Sequence, residues 1–390
     1  MPRRSTPLLA WHATVVTAAL LAFSPTDVTA QQRPRARTLG VAPGIFTPGS
    51  WNAITDVRGV RVGHVTVVEG DDVRTGVTAI LAHDLNPYVE RVPAAVHVGN
   101  GYGKLLGLTQ VDELGELETP ILLTGTLGVW RAADALVEWQ LAKPGLEEVR
   151  SLNPVVGETN DGYLNDIRAR PLRPEHVRQA LEAASTDNVE EGAIGAGTGT
   201  VAFGWKGGIG TSSRRLDQAR GGYTVGVLVQ SNYGGRLTIG GVALDALQPQ
   251  PVAAREAPPA SGDGSIMIVV ATDAPLDARL LRRLATRALL GLGRTGSSMS
   301  NGSGDYVIAF STAPGLRGTG DGKGPGRDVL SNDAMTPLFD AVAEATEEAI
   351  VNSLFRARDM DGHRGAVQAL PLERALPLLL RDGQDAASLR

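Results

Sequence analysis

The chain of 390 residues has no cysteine. Disulfides, thiolate metal sites and a thiol nucleophile are therefore excluded. Aromatic residues are scarce at 4%, so a large aromatic core is ruled out. Neither sign of charge dominates: 37 Lys and Arg stand against 42 Asp and Glu, for a net charge of -5. That balance gives no footprint for nucleic acid or for an anionic membrane surface. The six histidines lack the short spacing of a metal site, which argues against a zinc aminopeptidase. No serine sits in a Gly-x-Ser-x-Gly elbow, which argues against an ordinary α/β-hydrolase. Lys323 in the Gly-rich run Gly315 to Gly326 is followed by Gly324, so that run is expected to be a loop and not a phosphate cradle.

What is present begins with a basic start at Arg3 and Arg4, an apolar run from Leu8 to Phe23, and small residues at Val28-Thr29-Ala30. This is the layout of a secretory signal, residues 1–30, removed before Gln31. The apolar run is interrupted by Trp11, His12 and Thr14 and falls short of the roughly 20 residues a spanning helix needs. The mature protein is therefore expected to be periplasmic or secreted and to have no membrane association. Gln31 to Arg37 is expected to be a loose terminus.

Further along, short β-rich pieces broken by glycine cover 60–62, 65–68 and 77–81. Apolar residues recur at helical spacing over 127–141 and 174–184. Strands are expected again at 200–203, 223–229, 265–271 and 306–311, with helices over 275–292 and 333–355. Groups of strands alternating with helices predict an α+β fold, sheets covered by helices. No fixed-period repeat is present.

One break in composition stands out. Gln248 to Gly264 reads QPQPVAAREAPPASGDG, without apolar periodicity, and is expected to be a surface loop. It stops at Ser265, where the apolar run Ile266-Met267-Ile268-Val269-Val270 begins. A structureless insertion of that length is usually functional or a linker. Gly264 has no Cβ and admits backbone conformations that other residues resist. A strained peptide there is open to attack by the Ser265 hydroxyl. The amide becomes an ester, and water then cleaves it. The product is a serine with a free α-amino group, which titrates near pKa ~8 and can serve as its own general base. Taken alone, a Gly-Ser step before a strand also fits a plain loop-to-strand junction.

The context of the junction is more specific. The run Gly262 to Leu276 (GDGSIMIVVATDAPL) resembles the processing site of the DmpA-type self-processing peptidases, peptidase family S58, which includes the L-aminopeptidase/D-esterases and β-peptidyl aminopeptidases. Three further blocks are similar to that family: Asn153 to Asp166, Gly195 to Arg214 and Arg294 to Phe310. The likeness runs from about Gly49 to Leu370.

The resemblance implies a four-layer αββα sandwich with two central β-sheets, a single large domain cut into an α chain, residues 31–264, and a β chain, residues 265–390. It implies removal of N-terminal residues from small peptides, amides or esters through an acyl-enzyme, with no cofactor and no metal, in a homo-oligomer of αβ units, a tetramer being the expected size. By the same resemblance Ser265 is the nucleophile, freed by the cut at Gly264, and Ser303 and Asp305 orient and assist it. Some members have Glu where this chain has Asp305. Asn232 would be the oxyanion donor, Tyr163 a polar neighbour of the nucleophile, and Glu158 the anion that holds the substrate ammonium. On the residues alone, Ser303 and Asp305 also fit a Gly-rich turn, Asn232 a turn, Tyr163 a core phenol and Glu158 a local cap. Two other functions share the same sequence: aminoacyl or acyl transfer on the same serine, and a non-catalytic binding relic of the fold.

Overall fold

The computed structural model describes Met1 and residues 33–249, 264–318 and 328–380. The expected signal segment and most of the expected processing loop lie outside the described residues.

Two sheets form the centre. The first has five strands in the order β1 (Arg61–Glu69), β2 (Val73–Leu81), β6 (Ile121–Gly125), β7 (Val155–Thr159) and β4 (Leu105–Leu106). The second has six, in the order β8 (Gly208–Arg215), β9 (Thr224–Asn232), β10 (Gly264–Thr272), β11 (Ser303–Ser311), β3 (Val92–Gly101) and β5 (Glu116–Leu117). Each sheet contains one parallel pair, β6 with β7 and β10 with β11; all other neighbours are antiparallel. Helix α1 (Val129–Leu141) makes the crossover in the first pair, and α3 (Ala278–Arg294) makes it in the second. Helices α1 and α2 (Pro174–Glu182) cover the first sheet, while α3 and α4 (Thr336–Arg356) cover the second. The order of layers is helix, sheet, sheet, helix.

The sequence explains why the second sheet sits inside. Strand β10 is a continuous apolar run, the pattern of a strand buried on both faces. Its side chains alternate between two cores. Ile266, Ile268 and Val270 join the core beneath α3 and α4, while Met267, Val269 and Ala271 join the core between the sheets. Strand β11 does the same, with Val307 and Ala309 on the helix side and Tyr306, Ile308 and Phe310 between the sheets. Helix α3 starts where the Asp277 carboxylate accepts the Leu280 N–H at 2.8 Å, and it buries Leu280, Leu281, Leu284, Ala288 and Leu292 along one stripe.

Several expectations change in detail. The pieces at 60–62 and 65–68 are one strand. Strand β11 begins at Ser303, three residues before the expected start, because pairing with β10 carries the ladder through Gly304. Residues 200–203 are half of a tight hairpin, Val201–Ala202 against Trp205–Lys206.

Of the expected loose terminus, Gln31 and Gln32 lie outside the described residues, and Arg33 to Arg37 is not loose. Arg33 donates to Ala357 O and Leu370 O, Arg35 pairs with Glu191 at 2.8 Å, and Arg37 pairs with Glu348 at 2.6 Å. Its arginines find buried acceptors that composition does not reveal. Glu348 also meets Arg214, which is fully buried, at 2.8 Å. Burial alone would raise its pKa, but Arg37 and Arg214 hold it below the usual range. Among the described residues no helix is long and apolar enough to cross a membrane.

Candidate active site

Ser265 is the second residue of β10 and is buried. Its neighbours follow from register: Gly304 lies beside it on β11, and Asn232 lies beside it on β9. The Gly304 N–H donates to Ser265 Oγ at 3.3 Å. Gly304 must be glycine, since a Cβ there would stand 2.6 Å from Gly103 and 3.2 Å from Ser265 Oγ. Gly264 is as confined: a Cβ would stand 2.4 Å from both Asn232 O and Tyr233 Cα. The expected cleavage site thus holds a residue type for which there is no substitute without moving backbone.

Asn232 and Ser265 are cross-strand partners on the face turned toward the other sheet, as alternation along β9 and β10 requires. The Asn232 Oδ1 accepts the Val201 N–H at 2.8 Å. Fixing the carbonyl end leaves the amide NH₂ as the donor toward the cleft that Asn232 and Ser265 line together.

Ser303 and Asp305 are on the opposite face. Ser303 Oγ donates to Asp305 Oδ1 at 2.7 Å, which fits residues two apart on one strand. Ser303 is in register with Gly264, so the two side chains flank the peptide that joins Gly264 to Ser265 and make no hydrogen bond to the Ser265 hydroxyl. Burial pushes the Asp305 carboxyl up to about 6, against the pull of the Ser303 hydrogen bond. Its Oδ2 is buried and without a hydrogen-bond partner.

The remaining wall comes from the first sheet. Glu158, near the end of β7, is buried; its Oε1 accepts the Lys104 N–H at 2.9 Å and lies 3.6 Å from Lys104 Nζ. Burial raises its pKa, opposed by Lys104. Thr126 also acts on the Glu158 carboxylate and opposes the rise, and both side chains are buried. Gly103 connects this wall to the nucleophile: a Cβ there would stand 3.1 Å from Glu158 Oε1, Gly304 Cα and the Tyr306 ring. Tyr163 is buried, packs with Leu164 and Val367, and lines the same cleft, as do Lys104, Asn160 and Arg364. The structure therefore brings Ser265, Gly264, Asn232, Glu158 and Tyr163 to one cleft, and Ser303 and Asp305 to the strand beneath it. Among the described residues no cluster of three His, Asp or Glu side chains is placed to hold a metal ion.

Sequence reasoning missed several residues. Gly103 and Lys104 carry no motif of their own. Asp161, also buried, accepts from Thr75 Oγ1 at 2.5 Å, and burial pushes its pKa up to about 6. Lys206 is fully buried, and its Nζ donates to Gly197 O at 3.0 Å, Thr200 O at 2.9 Å and Gly207 O at 2.8 Å. A signal for it exists: Lys206 is the lone charge between Glu191 and Arg214.

Comparison with known proteins agrees with this geometry. A family model described as Peptidase family S58 matches residues 52–368. The β-peptidyl aminopeptidase BapA of Sphingosinicella microcystinivorans is 41% identical over 363 residues, 87% of this chain and 90% of that protein. A Burkholderia sp. β-aminopeptidase structure superposes with a TM-score of 0.82 at 41% identity, covering 90% of this chain and 99% of that one. The L-aminopeptidase D-Ala-esterase/amidase from Ochrobactrum anthropi, described as a prototype for the serine aminopeptidases and a variant of the Ntn hydrolase fold, gives a TM-score of 0.81 at 38% identity, with 90% and 99% covered. The four layers described above are that fold.

Proposed function

The chain belongs to peptidase family S58, and from that premise we propose that it is a precursor that cuts itself between Gly264 and Ser265 and then works as a serine aminopeptidase. It releases an N-terminal L-α, D-α or β-amino acid from small peptides, amides or esters. The observation that carries the reading is the position of Ser265: at the head of a buried strand, beside a glycine that tolerates no side chain, on one face with the Asn232 amide.

In processing, Ser265 Oγ attacks the Gly264 carbonyl carbon. The C–N bond breaks, the nitrogen leaves as the Ser265 amine, and water hydrolyses the ester that remains. In turnover the same oxygen attacks the substrate carbonyl, and the Asn232 NH₂ donates to the developing oxyanion. The leaving amine takes a proton, and water then frees the acyl group from the serine. Ser303 and Asp305 face the new α-amino group rather than the hydroxyl. Their part is to hold that amine in place while it receives and returns the hydroxyl proton. Glu158 holds the substrate ammonium in exchange for Lys104, and Tyr163 closes the same wall. The chains 31–264 and 265–390 stay together as one αβ unit, exported behind a cleaved signal and assembled as a homo-oligomer.

The test is direct. Intact mass should give two chains, and Edman degradation of the smaller should read Ser-Ile-Met-Ile. A folded protein that stays one chain overturns the proposal.

A further inference from the structure

The oxyanion donor proposed above depends on one orientation of an amide side chain. Asn232 is held through a single hydrogen bond, from the Val201 N–H to its Oδ1. Val201 N belongs to the same peptide unit as Thr200 O, and a peptide unit is planar and stiff. Whatever fixes Thr200 O therefore fixes the direction of the Val201 N–H on the other side of that plane.

Thr200 O accepts from Lys206 Nζ at 2.9 Å and from Gly207 N at 3.1 Å. The ammonium spends its other two protons on Gly197 O and Gly207 O. Three carbonyls of one short segment are gathered on one cation. The hairpin between Ala202 and Trp205 brings Lys206 back under Thr200, and the Phe203 N–H reaches Tyr233 O, one residue after Asn232, at 2.7 Å. The segment thus meets the strand end at two adjacent points, the Asn232 side-chain amide and the Tyr233 backbone carbonyl.

This is an expensive way to hold a loop. A fully buried ammonium must lose its water, and the three hydrogen bonds of Lys206 go to backbone carbonyls rather than to a carboxylate. Burial lowers its pKa to about 7, with Asp161 the charge that opposes the shift. An apolar side chain of similar size would fill the space without that cost, but it would leave three buried carbonyls with fewer partners and the Thr200–Val201 plane held on that side by the Gly207 N–H alone.

We infer that Lys206 is a positioning residue for catalysis: it locks the Thr200–Val201 peptide plane and, through the Val201 N–H, aims the Asn232 amide at the substrate oxyanion. The inference rests on the role proposed for Asn232.

A double-mutant cycle tests it. Wild type, Asn232→Ala, Lys206→Met and the double variant are compared as processed enzyme on β-alanine p-nitroanilide and D-alanine p-nitroanilide, with active chains counted by the mass of the small fragment. Where a variant processes too slowly to yield mature enzyme, the same cycle is read on the rate of cleavage at Gly264. Asn232→Ala should lower kcat about 10²–10³-fold. Lys206→Met should lower kcat at least about tenfold with KM within about twofold, and the double variant should be no worse than Asn232→Ala within about twofold, because the two act in series. Additive losses, or full kcat in Lys206→Met, overturn the inference while leaving Asn232 in its role. Full kcat in Asn232→Ala overturns the role of Asn232 itself. Lys206→Gln, whose NH₂ can donate at most two of the three bonds, is expected to fall between wild type and Lys206→Met. If neither Lys206 variant folds, the lysine serves the fold, and the positioning role is refuted.

Discussion

The two parallel pairs, β6 with β7 and β10 with β11, have the same construction and meet the same cleft from opposite directions. Strands β10 and β11 present their beginnings: Ser265 is second in its strand, and Ser303 and Asp305 are first and third in theirs. Strands β6 and β7 present their ends, with Thr126 just past one and Glu158 fourth of five in the other. Ligands of parallel sheets are usually met at the carboxyl ends of strands, and the Glu158 wall follows that habit. The Ser265 wall departs from it for a chemical reason. On the proposed reading a serine whose own amine acts must start a chain, and at a cut on the edge of a buried strand that places it at the strand's beginning. One wall is therefore suited to bond making and the other to holding the substrate.

That division can be broken by experiment, starting from the largest effect. Ser265→Ala should stop both cleavage and turnover, the latter by about 10⁴-fold or more. Mass and amide hydrolysis read both, and normal turnover would end the assignment. Asp305→Asn should cost about 10²–10⁴ in kcat. In the uncleaved chain, held by Ser265→Ala, it should also raise the Tm at neutral pH. The folded wild type carries a carboxylate whose pKa is raised to about 6 by burial, so above that pH its charge is disfavoured in the fold but not in the unfolded chain. The advantage of the variant should be full above pH 6 and shrink as the pH falls toward the ordinary carboxylate range. Thermal scans across pH check the sign.

Glu158→Gln sharpens the comparison most. It should raise KM about 10–100-fold, as expected from losing a charged contact of roughly 1.5–3 kcal/mol, lower kcat less, and leave self-cleavage intact. If it blocks cleavage, the two walls do not divide the work. Tyr163→Phe should have the smallest effect, within about tenfold in kcat/KM, consistent with one neutral hydrogen bond.

The nucleophile side was the more legible half in the sequence. An apolar run that starts abruptly at Ser265 marks a strand buried on both faces, and its helical crossover shows as a clean amphipathic stripe; the sequence offers Asp273 and Pro275 for the start of that helix, but Asp273 binds the Thr224 N–H and Asp277 is the cap. Glu158 and Tyr163 of the opposite wall were named from the resemblance, but its strands, and two of the second sheet, were hidden. Strands β6 and β7 are five residues each, too short for periodicity to separate from a loop, and β3 and β8 carry enough glycine to read as turns. Ser303 and Asp305 look like turn residues because Gly302 and Gly304 surround them; their strand comes from pairing with β10, which no local pattern encodes. That these two face away from the Ser265 hydroxyl follows only once the register is known.

The N-terminal arm acquires a new meaning under the proposed cut after residue 264. Arg33 grips Ala357 O and Leu370 O, Ala36 N–H binds Asn352 Oδ1, and Arg37 binds Glu348, all of which then belong to the other polypeptide. What folds as an intramolecular arm becomes a rivet between two separate molecules. Its first anchoring arginine stands only three residues after Ala30, the last residue of the expected signal. Export trimming that strayed a few residues inward would thus release a latch and favour dissociation of the halves.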